Sequence, residues 1–247
     1  MTHPEVAILL GLMLAHLCGD FLFQPRRWVD SRQRHKHVSR ALYLHAGLHG
    51  LLATLVLALA GSGTGMLVVS VLVVAISHAL IDLGKAHLDP SRLRWFLLDQ
   101  LLHLLVLLGV WLTWLGSLQP LIEVATWMAT PPVLTLAGAY LLVTRPMAIA
   151  IALAMRPWSS EVSDPGTLVA AGARIGILER FLVLTLVLLG ELTAVGFLLT
   201  AKSVLRFGDL RERNDRKLTE YVLLGTLLSF SATLALGLMV RSTPWSG

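Results

Sequence analysis

Residues 65–87 read GMLVVSVLVVAISHALIDLGKAH, and this stretch decides the fold class. It holds no charged residue before Asp82, and as a helix it is long enough to cross the roughly 30 Å hydrocarbon layer of a bilayer. A soluble domain carries about 25% charged residues, whereas this 247-residue chain has 14% charged and 55% hydrophobic residues. We therefore predict an integral membrane protein built of helices.

Similar apolar stretches recur along the chain and predict an all-α, polytopic transmembrane helical bundle of six or seven spans. We divide it into a four-helix membrane domain at 1–118 and a set of carboxy-terminal membrane helices at 119–247. The predicted spans cover 5–24, 40–60, 65–87, 95–117, 133–155 (interrupted by Arg145-Pro146) and 218–240, with a further apolar region at 174–206.

The region 174–206 is broken by Gly190-Glu191 and is compatible with two topologies. A re-entrant hairpin that turns at this break keeps the basic segment Arg206–Lys217 in the cytoplasm, but its turn must be buried in protein or line water. A single long tilted helix instead places that segment outside, where its acidic residues neutralise part of its charge. The preference of Lys and Arg for cytoplasmic loops favours the hairpin.

The same preference predicts the orientation of the first four spans. The loops after spans one and three are basic, whereas the connections Gly61–Gly65 and Gly116–Thr130 hold no Lys or Arg. We therefore expect a bacterial inner-membrane protein with a periplasmic amino terminus and cytoplasmic basic loops. This topology explains the excess of 20 Lys and Arg over 15 Asp and Glu, so no nucleic-acid partner is expected. The single cysteine, Cys18, excludes a disulfide within one chain.

Each of the first four spans carries two ionisable residues at i, i+4 spacing, which places both on one helix face. The pairs lie near the carboxy ends of spans one and three and near the amino ends of spans two and four. An antiparallel bundle therefore brings them to one level near the cytoplasmic surface. An ionisable group inside a span costs roughly 2.5–3.5 kcal/mol, so eight such groups require a shared role. The pairs are His16 and Asp20, His45 and His49, His78 and Asp82, and Asp99 and His103.

Imidazole and carboxylate are common metal ligands, and helices offer two ligands to one metal at this spacing. We predict that the eight residues bind a divalent metal, with zinc favoured and iron or manganese as alternatives. Eight candidates exceed one tetrahedral site, so either two metals bind or some carboxylates orient histidine ligands instead. The competing interpretation is a proton relay or a polar packing network between helices.

Two polar residues beside the pairs are candidates for substrate binding. Gln24 lies one turn beyond Asp20 and can orient water or substrate, or it is simply an interface residue. Lys85 follows Asp82 by three residues and can bind an anionic head group, or it snorkels to the interface. Among the remaining polar residues, Gln100 can point away from the site. We expect the loop histidines His35, His37 and His87 to be solvated, and Glu179, Arg180, Glu191, Lys202 and Glu220 to form ion pairs or to lie at the interface.

These motifs resemble an uncharacterised bacterial membrane family, the domain of unknown function 3307. The resemblance rests on HLCGDFLFQ at 16–24, HAGLH at 45–49, SHALIDLGK at 77–85 and DQLLH at 99–103. Longer members carry stretches similar to RIGILER at 174–180, AKSVLRF at 201–207 and EYVLLGT at 220–226. The resemblance implies that the polar residues belong together, and it implies no activity.

We expect a metal-dependent hydrolase that acts on a lipid or other amphiphile reached from the cytoplasmic leaflet of the bilayer. A mixed His/Asp site lowers the pKa of a bound water toward neutrality. A carboxylate that does not bind the metal then acts as general base, the candidates being Asp20, Asp82 and Asp99.

Three alternatives remain open. A metal-ion or proton-coupled transporter would use the same ligands, although the outer halves of spans one to four are almost free of polar residues. A lipid oxidase with a di-iron site would suit eight ligands but lacks the adjacent-histidine signatures of membrane desaturases. A structural or scaffolding role is the last alternative, and it must account for the energetic cost of the polar groups.

Overall fold

The computed structural model describes residues 3–159, 169–213 and 216–243, whose regular secondary structure is helical and contains no strand. The predicted all-α class is therefore confirmed. Clustering of contacts divides the chain into two compact units, Met1–Glu123 and Val124–Gly247. The described helices are α1 (His3–Leu17), α2 (Arg26–His35), α3 (Arg40–Leu59), α4 (Thr64–Lys85), α5 (Leu93–Leu115), α6 (Gln119–Met128), α7 (Pro131–Leu142), α8 (Arg145–Ser159), α9 (Val169–Leu189), α10 (Leu192–Arg213) and α11 (Arg216–Ser242).

Several described helices are long and apolar enough to span a membrane. Five segments qualify singly: Glu5–Leu22, α3, α4, α5 and Lys217–Ser242. Helices α7 and α8 together make a sixth if they are counted as one span bent by 41°. This bend lies at the interruption that the sequence predicts within the fifth span.

The first span ends in a wider helical turn than an α-helix provides. Residues Cys18–Leu22 form a π-helical turn, which closes with the Phe23 amide donating to the Cys18 carbonyl at 2.9 Å. Pro25 follows in an extended conformation, because proline has no amide hydrogen to continue the helix. The span therefore ends at Leu22, and helix α2 begins directly after the proline and packs against α3.

Small residues allow the helices of the amino-terminal unit to pack closely. Helix α3 lies against α1 and α4, and α5 packs against both α1 and α4. A Cβ atom on Gly50 of α3 would lie 2.8 Å from the Val71 carbonyl oxygen of α4, so only glycine fits there without a shift. The apolar core of this unit consists of Leu12, Ala53, Leu57, Val74, Leu107, Val110 and Trp111.

The carboxy-terminal unit packs α7, α8, α9 and α11 around buried aliphatic residues. Helix α9 ends at Leu189 and is followed by Gly190, whose φ of +85° suits glycine; the Glu191 amide donates to the Leu186 carbonyl at 2.8 Å. Glu179 on α9 forms an ion pair with Lys202 on α10. These two residues lie nearly equally far from the turn in sequence, so the helices fold back side by side as a hairpin.

The relation of this hairpin to a membrane stays a prediction, as does the orientation of the amino terminus. Residues 214 and 215 of the basic segment Arg206–Lys217 lie outside the described residues.

Candidate metal centre

Four histidines from four helices form one layer inside the amino-terminal unit, and we call this set the inner histidine layer. It consists of His16 on α1, His49 on α3, His78 on α4 and His103 on α5. The rings of His49 and His78 stack with centroids 3.7 Å apart, and the His78 and His103 centroids are 4.1 Å apart. His16 closes the layer at 5.0 Å from His103. All four side chains are buried.

The residue of each pair that is not in the inner histidine layer lies one turn closer to the helix end that adjoins a basic loop. These residues, Asp20, His45, Asp82 and Asp99, make up what we call the carboxylate layer. The i, i+4 spacing and the alternating direction of the helices together produce the two layers. The four pairs therefore lie beside one another in the bundle as two layers one helical turn apart, and the role of these eight residues as metal ligands stays a prediction.

Asp20 of the carboxylate layer lies close to histidines of both layers. Its Oδ1 atom is 3.1 Å from Nε2 of His45, 3.1 Å from Nε2 of His49 and 3.7 Å from Nε2 of His78. Its Oδ2 atom faces the other way and is 3.7 Å from Nε2 of His16. The two oxygens of one carboxylate thus face histidines from three other segments of the bundle.

Several buried imidazole nitrogens have no hydrogen-bond partner among the described residues. They include Nε2 of His16, Nε2 of His49, Nε2 of His78 and both ring nitrogens of His103. Nε2 of His49 is close to Asp20 but not in hydrogen-bonding geometry. Leaving a buried polar atom unpaired costs about 1–3 kcal/mol, so several such atoms close together in one buried region indicate a ligand. The donor set of imidazoles and carboxylates fits a divalent metal.

Three groups of these residues have ligand atoms close enough to hold a metal ion. Within each group the ligand atoms lie within 4.8 Å of one another. Three residues each belong to two of these groups, namely Asp20, His78 and His103. The groups are Asp20, His45, His49 and His78; His16, Asp20 and His103; and His78, Asp82 and His103.

An apolar layer lies next to the inner histidine layer, on the side away from the carboxylate layer. One further turn along the same helix faces lie Leu12, Ala53, Val74 and Leu107, each four residues from its inner histidine. All four are buried in the core of the unit. The described side chains on this side of the inner histidine layer therefore offer no continuous polar path.

Gly19 allows α1 to approach the histidines. A Cβ atom at this position would overlap the imidazole ring of His49. Gly19 is also buried, directly before Asp20 in the π-helical turn. The glycine is therefore needed for His49 and Asp20 to come within 3.1 Å of each other.

Two cations contact the carboxylate layer, and the sequence identifies only one of them as a candidate. Arg32 of α2 is buried and donates to Oδ2 of Asp82. Lys85, the last residue of α4, donates to Oδ2 of Asp99 at 2.5 Å. Lys85 is thus neither snorkelling freely nor merely beside the site, because it holds one of the predicted ligands. Its role toward substrate stays a prediction.

Sequence analysis does not single out Arg32, because the preference of Lys and Arg for cytoplasmic loops already accounts for every basic residue in this loop. A signal was nevertheless present in the spacing of Trp28 and Arg32, which lie one turn apart in a helix. The indole of Trp28 packs edge-on against His45, with ring centroids 6.3 Å apart. The one tryptophan in a charged segment therefore marks the face of α2 that turns toward the site.

Gln100 points into the site, so the expectation that it points away is wrong. Its Nε2 atom donates to Oδ2 of Asp20 at 2.9 Å and to Oδ2 of Asp99 at 3.2 Å. Gln24, in contrast, lies beyond the π-helical turn and does not continue the helix face of Asp20. The loop histidines His35, His37 and His87 are exposed, as predicted.

Comparison with known families supports the motif resemblance. Residues 8–129 match the family model described as protein of unknown function, domain 3307. These residues form a domain of that family. The match includes all eight candidate ligands and ends before the carboxy-terminal stretches at 174–180, 201–207 and 220–226, whose membership in longer relatives stays a prediction. No curated protein and no solved structure matches the chain.

Proposed function

We propose that the amino-terminal unit is a membrane-embedded, metal-dependent hydrolase that acts on a lipid or other amphiphile from the cytoplasmic side. The observation that carries this proposal is the convergence of Asp20 Oδ1 with three imidazole Nε2 atoms in a buried centre. Three histidines and one carboxylate are a donor set suited to zinc, with iron or manganese as alternatives.

Asp20, His45, His49 and His78 would hold the metal. A divalent metal held by these four residues would need a fifth coordination position to bind a water, and it would then supply Lewis acidity and a nucleophilic water at neutral pH. The protein contributes fixed ligands and a surrounding apolar core. The second carboxylate oxygen of Asp20 is kept in place by Gln100, and such partners of ligands commonly set their orientation.

Asp99 is the carboxylate best suited to act as general base. Asp20 and Asp82 both belong to groups that could hold a metal ion, whereas Asp99 belongs to none of them. Its Oδ1 atom is buried and has no hydrogen-bond partner among the described residues. Its Oδ2 atom is held by Lys85 and Gln100, which leaves Oδ1 oriented to accept a proton.

The alternatives have less support from the geometry. A transporter needs a path on both sides of its binding site, and the apolar layer of Leu12, Ala53, Val74 and Leu107 lies on one side of this centre. A structural network of histidines and aspartates would be expected to pair its buried atoms, whereas several imidazole nitrogens are unpaired within the described part. A di-iron oxidase would use the same donor set, so the chemical nature of the lipid products must distinguish it from a hydrolase.

The test begins with metal content. The protein is purified in detergent without chelator, and bound metals per chain are measured by mass spectrometry beside the His78→Ala/Asp82→Ala double variant. We expect zinc in the wild type and its loss in the double variant. The exposed His87→Ala variant serves as the matched control and should retain the metal. A wild type that stays metal-free after incubation with zinc, iron and manganese would refute the metal centre.

The second part tests hydrolysis. Metal-loaded protein is incubated with vesicles of mixed phospholipids and diacylglycerol, and products are identified by mass spectrometry. We expect lipid hydrolysis that falls by about 10²–10⁴-fold in Asp99→Asn, the range for loss of a general base, while metal content stays unchanged. Oxidised lipid products would instead favour the oxidase, and metal flux across proteoliposomes without hydrolysis would favour the transporter.

A further inference from the structure

Two cations at the metal centre have no role in holding a metal. Arg32 is 6% exposed and contacts Asp82, a member of one metal-holding group. The ammonium of Lys85 contacts Asp99, whose other oxygen lies 3.8 Å from Nδ1 of His103. Each cation is therefore separated from the histidines by a single carboxylate.

The charge of the site favours an anionic ligand once a metal is bound. The formal charges of the site are three negative, on Asp20, Asp82 and Asp99, and two positive, on Arg32 and Lys85. Imidazoles must be neutral to bind a metal, so a divalent ion changes the net charge of the site from negative to positive. Fixed cations this close to the ligands repel a metal, and an anion that binds beside the metal compensates for this repulsion.

Both cations retain donors that their carboxylate partners do not use. A guanidinium has five N–H donors and an ammonium has three. Arg32 contacts Asp82 through Nη1, and Lys85 contacts Asp99 through Nζ. The planar fork of arginine matches the oxygens of a phosphate, and lysine adds a compact charge. The two side chains together therefore suit a phosphate group better than a single carboxylate.

Apolar surface adjoins the more accessible of these cations. The Lys85 side chain is 30% exposed, and its Nζ atom lies 5.6 Å from the ring centroid of Phe96. The ring of Phe96 contacts that of Phe21 at 6.4 Å, and both residues are exposed. A molecule with its phosphate at Lys85 would place an attached chain against these two rings. This juxtaposition of cation and aromatic surface fits an amphiphile.

We infer that Arg32 and Lys85 bind the phosphate group of the ligand, and that the substrate class of the centre is a phosphate-bearing amphiphile. This inference rests on the proposed hydrolase function, because it places the phosphate beside the metal. It also gives α2 a role, since this helix brings Arg32 from a basic loop into the carboxylate layer.

Calorimetric titration of the zinc-loaded protein in an uncharged detergent tests the inference. The probes are inorganic phosphate and dihexanoyl phosphatidic acid, with dihexanoylglycerol as the uncharged comparator. We expect both phosphates to bind, and Lys85→Gln to weaken both at least about tenfold, because it removes a charge-assisted hydrogen bond. Lys85→Arg should restore binding. The matched control is Arg34→Gln, an exposed arginine on α2, the helix that carries Arg32, and it should leave affinity unchanged.

Arg32 needs a more conservative substitution, because its loss leaves Asp82 buried without its cation. Arg32→Lys keeps the charge but removes the planar fork, and it should weaken phosphate binding while the protein stays folded. Phosphate affinities equal to the wild type in both Lys85→Gln and Arg32→Lys would overturn the inference. So would equal affinity of the wild type for dihexanoylglycerol and dihexanoyl phosphatidic acid.

The same samples separate this inference from the proposed function, because their metal content is measured in parallel. Phosphate binding that depends on Lys85 in a protein unable to bind metal would refute the hydrolase and support the phosphate site. Metal binding and lipid hydrolysis without phosphate binding would refute the phosphate site and support the hydrolase. Tighter binding of phosphatidic acid than of inorganic phosphate would support a lipid head group as the source of the phosphate. Equal affinities would support the pair of cations but overturn the amphiphile as the substrate class.

Discussion

Each of the two units contains ionisable residues within apolar helices, but these residues are arranged differently. In the carboxy-terminal unit, Glu179 pairs with Lys202 across the α9–α10 hairpin. Arg180 is buried and donates to the carbonyl oxygens of Val143 at 2.7 Å and Thr144 at 3.2 Å, at the end of α7. Each of these three charged groups therefore has a partner within its own unit.

In the amino-terminal unit the polar atoms converge without pairing completely. Buried nitrogens of His16, His49, His78 and His103 have no hydrogen-bond partner in the described part of the chain. The energetic cost of burying polar groups applies to both units. A charge inside an apolar helix therefore does not itself indicate function. Unpaired buried atoms that lie close together do, because they require a ligand to complete them.

Removal of a ligand shared between two groups should have the largest effect. His78 belongs to two of the groups that could hold a metal. We expect His78→Ala to lower metal affinity by more than about 100-fold, since loss of a group that only orients a ligand already costs about 10–100-fold. Competition with a fluorescent zinc chelator measures the affinity. Unchanged affinity in a folded variant would place the metal elsewhere.

Substitution of Gly19 tests whether close helix packing builds the site. In Gly19→Ala the new methyl group overlaps the His49 ring, so we expect that ring to move and metal affinity to fall by about 10–100-fold. Gly47→Ala on α3 is the matched control, because a Cβ atom at Gly47 meets no atom within 4 Å. The same chelator competition applies. Equal affinities in the two variants would contradict the packing argument.

Loss of Gln100 should have a smaller effect. Gln100→Leu removes the donor that Asp20 and Asp99 share, and we expect about a tenfold loss of metal affinity, at the lower end for a residue that orients a ligand. Gln33→Leu, an exposed glutamine on α2, is the comparison. An effect as large as that of His78→Ala would mean that Gln100 acts on the metal directly.

Substitution in the carboxy-terminal unit should leave metal affinity unchanged. Arg180→Ala removes two hydrogen bonds to carbonyls, and we expect the free energy of unfolding to fall by about 1–2 kcal/mol. Denaturant titration in detergent measures this change, with the exposed Arg174→Ala on the same helix as control. A loss of metal in Arg180→Ala would show that the two polar clusters are coupled.

The sequence predicts the helices and the eight converging residues for a definite physical reason. Long apolar runs specify membrane helices, and i, i+4 spacing at alternating ends of successive helices specifies one level in an antiparallel bundle. The predicted break near Gly190 and the interruption at Arg145-Pro146 correspond to helix boundaries in the structure. These features depend only on local sequence and on connectivity.

The contacts that sequence analysis misses depend on side-chain reach and on packing between segments distant in sequence. Gln100 lies next to Asp99, so helical geometry turns the two residues to different faces, yet its long side chain reaches two carboxylates. Arg32 enters the site through the placement of α2, which a basic loop does not reveal. The π-helical turn that ends the first span at Leu22 likewise has no sequence pattern that distinguishes it from a continuing α-helix.

The three ligand groups share residues, so they cannot all bind a metal ion at the same time. A neutral imidazole offers one acceptor nitrogen, so each histidine can serve one ion at a time. The group containing Asp82 needs both His78 and His103, and it is therefore incompatible with either of the other two. The remaining two groups share only Asp20, whose two oxygens face different histidines. At most two ions can therefore bind at once, and Asp20 would bridge them. An ion bound by His78, Asp82 and His103 would prevent binding at both of the other groups.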